Sequence, residues 1–143
     1  MNLKNLESKH LLYRPFEDAD YDDFFAFLSL DEVCEYYDIN EDNYGNILIA
    51  LTEAVNNAIT HGNHLNPNKK VSLKMHTTES DVFFTIKDEG DGFDFNNVAD
   101  PTLPQNLQKL NGRGIFLIKS LADEVIFEEN GSIVRLKFCI SPN

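Results

Sequence analysis

Positive charge is scarce in this sequence: 12 Lys+Arg stand against 24 Asp+Glu, a formal charge of −12 at pH 7. Nucleic-acid binders neutralise phosphates with a basic stripe, and none is present, so direct contact with DNA or RNA is not expected. An anionic membrane surface would repel the chain for the same reason. No apolar run approaches the roughly 18–20 residues of a membrane span. The opening MNLKNLESKHLL lacks the apolar stretch and small-residue cleavage site of a secretory leader. Cysteine is nearly missing: Cys34 and Cys139, far apart, indicate neither a disulfide framework nor a CxxC metal site. Internal repeats and low-complexity tracts are absent as well. The expectation is a soluble cytoplasmic protein, with most of its acidity serving solubility.

What is present suffices for a core. Hydrophobic residues make up 42%, with 11 Phe, in 143 residues, and single domains most often run to about 100–150 residues. One domain over 1–143 is therefore expected, and low-hydrophobicity disorder is not. HLLYRPF reads as an N-terminal strand. The acidic EDADYDD and the following FFAFLSLDEVCEYY read as an amphipathic helix with negative charge at its N-terminus. YGNILIALTEAVNNAITHGN is the most helical segment: Leu48, Leu51, Ala54, Val55, Ala58 and Ile59 recur at helical spacing, and Gly62 with Asn63 supplies the stop. VSLKMHTT and DVFFTIKD are strands joined around Glu79 and Ser80. The polar stretch 98–111, with Pro101 and Pro104, reads as a mobile loop. GRGIFLIKSLADEV reads as a helix with a glycine-rich start, and VIFEE-NG-SIVRLKFCI as a hairpin on a two-residue Asn130-Gly131 turn. The order β-α-α-β-β-loop-α-β-β predicts an α/β layered domain, an α+β two-layer sandwich with a mostly antiparallel, mixed sheet.

Three groups of residues bear chemistry. Glu53 and Asn57 are four apart and share a helix face. A carboxylate there can take a proton, and an Asn oxygen is a hard ligand suited to Mg²⁺. Glu and Asn are equally at home on a solvated helix face, but two adjacent Asn (Asn56, Asn57) are poor helix formers, so the helix accepts a cost. Asp88 follows Val82, Phe84 and Ile86 at period two, which turns it inward. A buried carboxylate needs a donor, such as the exocyclic amine of adenine, and Gly90 and Gly92 would let the backbone approach a flat ligand. DEG and DGF are also ordinary turn sequences. Gly112-Arg113-Gly114 opens a helix whose free N–H groups could hold an anion, or simply eases a loop into a helix. It is neither GxxxxGK[ST] nor a strand-following GxGxxG. His61 and His64 lack a third ligand, so zinc is not expected, and no nucleophile motif is present.

In combination, TEAVNNAITHG, IKDEGDGF, NGRGIFLIKSLADEV and NGSIVRLKF resemble the successive nucleotide-binding boxes of the GHKL (Bergerat-fold) ATPase/kinase superfamily. The resemblance spans at least residues 45–140 and is strongest to the short bacterial anti-sigma-factor serine/threonine kinases of the RsbW type. It implies a sheet covered on one face by three helices, binding ATP and Mg²⁺. It implies Glu53 as general base and Asn57 as Mg²⁺ ligand. Asp88 would bind the adenine amine, Gly90, Gly92 and Phe93 would form its pocket, and residues from about 94 to 111 would be the lid. Gly112 and Gly114 would offer N–H groups to phosphate, and Ser132 would stand near adenine where the family usually has Thr. Lys109 and Arg113 are candidates, by position, for countering γ-phosphate charge. The implied partners are a sigma factor and a STAS-type anti-anti-sigma protein phosphorylated on Ser or Thr, and a homodimer is common in such proteins. The alternative is an inert ATP-binding regulatory module of another partner-switching system.

Overall fold

The computed structural model describes residues 39–107 and 112–140. The expected N-terminal strand, the first helix and Lys109 lie outside them. Helix α1 runs Glu41–Asn57. It begins earlier than the apolar pattern suggested because Asn40 caps it, its Oδ1 accepting from the Asn43 N–H at 2.8 Å, with Glu41 and Asp42 favourably placed in the first turn. The α-helical part stops at Asn57, and a π-helical turn covers Ala58–Gly62. Strands β1 (Ser72–Thr77) and β2 (Asp81–Lys87) follow. After the loop come helix α2 (Arg113–Leu121), β3 (Glu124–Glu128) and β4 (Ile133–Cys139).

The described strands form one sheet in the order β1-β2-β4-β3, each neighbouring pair antiparallel. An α+β layered fold is thus present. Its inner face is read directly from the period-two pattern: Leu73, Ile86 and Val134 align across the strands, as do Met75, Phe84, Leu136 and Val125. The buried α1 residues Ile47, Ala50, Leu51, Ala54 and Val55, with Ile115 and Ile118 of α2, join this face in a single core.

Two expected boundaries change. The last helix ends at Leu121, four residues short of the predicted Val125. Ala122 is extended, and the Asp123 N–H donates to the Lys137 carbonyl at 2.9 Å, which draws the chain into the sheet. The final hairpin does not turn on Asn130-Gly131 alone. Four residues, 129–132, separate the paired Glu128 and Ile133, with positive φ at Glu129, Asn130 and Gly131. The wider turn lets the Asn130 carbonyl accept from the Phe93 N–H at 2.7 Å, tying the hairpin to the loop after β2.

Candidate functional site

Between α1 with its π-helical turn, α2 and the inner sheet face lies a partly open pocket whose water-accessible volume is about 20 Å³. Ala54, Ile86, Ile115, Ile118 and Val134 give it apolar walls, and Asn57, Asp88 and Ser132 give it polar points. Phe93 and Phe127 also line it, edge to face with centroids 5.9 Å apart, and Phe95 stacks on Phe127 at 4.7 Å. An apolar slot with few convergent polar groups is the usual form of a small-molecule site.

Asp88 is turned inward as the strand period required and is 6% exposed. Its N–H donates to the Ser132 carbonyl at 2.9 Å, and its Oδ1 accepts from the Gly90 N–H at 2.8 Å. Burial pushes its carboxyl above the usual carboxylate range, opposed by the Gly90 hydrogen bond and by the charges of Lys69 and His64. A carboxylate so placed favours a ligand that brings an N–H donor.

The glycines around Asp88 make room for close backbone approach. A Cβ on Gly62 would overlap the Asp88 carboxylate, and one on Gly90 would overlap the Gly62 carbonyl. Gly92, at φ +85°, holds the backbone where a Cβ would strike the Asn130 carbonyl. Gly62 and Gly131 were not among the sequence candidates, yet both line the pocket. Gly62 lies on the apolar stripe at helical spacing from Val55, Ala58 and Ile59, and that spacing was the available signal. Ser132 is buried. Its hydroxyl donates to the Glu129 carbonyl at 2.9 Å, so it braces the turn beside Asp88.

Glu53 and Asn57 do share a face of α1, and that face meets the start of α2. A Cβ on Gly114 would lie 2.8 Å from Glu53 Oε2 and 3.2 Å from Asn57 Nδ2. Gly114 therefore seats these two side chains in addition to carrying a first-turn N–H. Gly112 caps α2 at φ +89°, and no side chain caps this helix, so the first-turn N–H groups lie outside the intrahelical ladder. Arg113 points elsewhere: its guanidinium donates to the Leu107 carbonyl at 2.7 Å and fastens the loop to α2.

Asn57 also tests whether a metal fits. Its Nδ2 is buried and has no hydrogen-bond partner. Since the two ends of an amide are interchangeable by a flip, that position presents either a donor or a hard oxygen. Among the described residues no group of three His, Cys, Asp or Glu could hold a metal by itself. A Mg²⁺ ion taking most of its ligands from phosphate and water suits a single Asn oxygen. The residues fit a nucleotide with its magnesium.

No described helix is long and apolar enough to cross a membrane. Residues 26–138 match the model of the histidine kinase-like ATPase domain. The chain is 32% identical over 119 residues to the anti-sigma F factor of Geobacillus stearothermophilus, covering 79% of this chain and 81% of that protein. It is 33% identical over 96 residues to the serine-protein kinase RsbW of Staphylococcus aureus strains JH9 and Newman, covering 62% of this chain and 60% of theirs. With the domain model matched over most of its length, the chain belongs to the family of histidine kinase-like ATPase domains.

Proposed function

We propose that this chain is an ATP- and Mg²⁺-dependent protein serine/threonine kinase acting as an anti-sigma regulatory factor. Its substrate would be a Ser or Thr of a STAS-type anti-anti-sigma protein, and its other partner a sigma factor, with the whole chain forming one domain that works as a homodimer. The observation that carries the reading is the seating of Glu53 and Asn57 together against Gly114 at the start of α2, with Asn57 lining the same pocket as Asp88. The similarity to an anti-sigma factor and to serine-protein kinases supports it.

Asp88 accepts a hydrogen bond from the adenine amine, and the apolar walls with Phe93 exclude water around the base. Gly112 and Gly114 let phosphate approach the first-turn N–H groups of α2, which favour negative charge. Asn57 would hold the magnesium, which supplies charge neutralisation along the phosphates. Glu53 takes the proton of the acceptor hydroxyl, while positioning and electrostatics do most of the remaining work of phosphoryl transfer. Lys109, and Arg113 once released from Leu107, supply further positive charge.

The test is transfer of labelled γ-phosphate to purified STAS proteins encoded near this chain's gene. Labelling that is lost in Glu53→Ala and in Asp88→Asn is expected. ATP binding with no transfer to any of them, unaltered by Glu53→Ala, would reduce the protein to an ATP-binding regulatory module.

A further inference from the structure

We infer that Asn63 is a positioning residue that sets the orientation of Asp88 and thereby the preference for adenine over other bases. The inference rests on the reading of Asp88 as the base-recognising carboxylate. Asn63 follows the π-helical turn, is 3% exposed, and does not line the pocket. Its side-chain Oδ1 accepts from the Glu89 N–H at 2.8 Å, across 26 residues of chain. Its Nδ2 donates to the Lys70 carbonyl at 3.0 Å. The Lys70 N–H donates in turn to Glu89 Oε2, so the three residues close a ring of hydrogen bonds. One partner is an N–H and the other a carbonyl, which fixes the orientation of the Asn63 amide and makes both ends necessary. The Asn63 N–H is itself anchored on the Ala58 carbonyl at 2.8 Å.

The ring grips the residue immediately after Asp88. The peptide before Asp88 is already held through its N–H on Ser132, and the carboxylate through Gly90. Asn63 thus supplies the hold on the following peptide that leaves the carboxylate little freedom to rotate. A buried charge-assisted hydrogen bond is sensitive to such small misplacement. Gly62 is stacked beside the carboxylate on the same turn, so the ring also keeps the floor under Asp88 in register.

The experiment measures ATP and purine riboside triphosphate affinities by calorimetry on the full chain, as wild type, Asn63→Ala and Glu89→Ala. Purine riboside carries only hydrogen on carbon where adenine carries the amine, and its neighbouring ring nitrogen is an acceptor as in adenine. A role in overall stability weakens both nucleotides alike, whereas positioning of Asp88 affects only the one that donates to it. The wild type is expected to favour ATP. Asn63→Ala should weaken ATP about tenfold with purine riboside triphosphate unchanged, the size of one hydrogen bond. Glu89→Ala opens the ring at an exposed side chain, so it remains decisive if Asn63→Ala does not fold, and a smaller shift of the same kind is expected. On an Asp88→Asn background neither substitution should alter the ratio further. Equal weakening of both nucleotides, or no change in either, would overturn the positioning role. A wild type with no preference would instead overturn the reading of Asp88 itself, and this inference with it.

Discussion

Gly62 lies against Asp88 so closely that even one added methyl group would overlap the carboxylate. The two residues meet because the π-helical turn carries Gly62 into the core just where β2 delivers Asp88. Neither neighbour can yield easily, since Gly90 closes over the Gly62 carbonyl from the other side. Gly62→Ala should therefore cost about 1–3 kcal/mol of stability, as overpacking does, and abolish ATP-induced thermal stabilisation. Denaturant unfolding measures the first, and thermal unfolding with and without ATP the second.

Gly114→Ala should separate folding from transfer. The added methyl would press on Glu53 and Asn57, both of which are half-buried side chains able to turn aside. The helix gains propensity from the change. Stability should hold or rise, while phosphotransfer falls about a hundredfold, the effect of misplacing a catalytic group by an ångström or so. Single-turnover transfer assays at saturating ATP check this.

Asp88 makes the nucleotide-free protein sensitive to pH. Burial raises its carboxyl pKa in the folded state, so the native protein keeps that proton to higher pH than the unfolded chain does. The resulting stability is fully present below the unfolded value and is lost as pH rises through the raised folded value. Asp88→Asn removes this dependence. Urea midpoints of wild type and Asp88→Asn should draw apart as pH rises from the unfolded carboxylate's value through the raised folded one, with the variant the more stable above both. The same variant should bind ATP poorly.

Gly45 is a control outside the site. It sits in α1, and a Cβ there would meet nothing within 4 Å. Gly45→Ala should stabilise the protein by about 0.5–1 kcal/mol by restricting the unfolded chain, with ATP affinity unchanged.

Local periodicity carried much of the site in the sequence. Period two placed Asp88 inward with Phe84 and Ile86, and a spacing of four put Glu53 and Asn57 on one face. The order of elements over the described residues followed from the same patterns. Contacts between remote segments were not legible. Gly62 read as a helix stop because only the folded chain brings β2 against it, and Asn63 was assigned to the same stop for the same reason. The Asn130-Gly131 pair suggested the shortest hairpin, but the turn takes four residues with positive φ at Glu129, Asn130 and Gly131, and its contact with Phe93 comes from a segment remote in sequence. Arg113 was assigned to phosphate by position, and its bond to Leu107 depends on the path of a loop that carries no periodicity.

Phe93 and Phe127 line the pocket, and Phe95 stacks on Phe127 at 4.7 Å, so a purine bound there would rest against these rings or part them. Where entry of the base requires the rings to part, association would be gated by that opening, and diffusion would cease to limit it at high ATP concentration. The observed binding rate should level off with rising ATP concentration instead of climbing in proportion. Phe95→Ala, which removes the outer ring of the stack, should lift the plateau in stopped-flow traces. The residence time of bound nucleotide would shorten with it, so the same aromatic contact would govern how long each nucleotide-dependent partnership lasts.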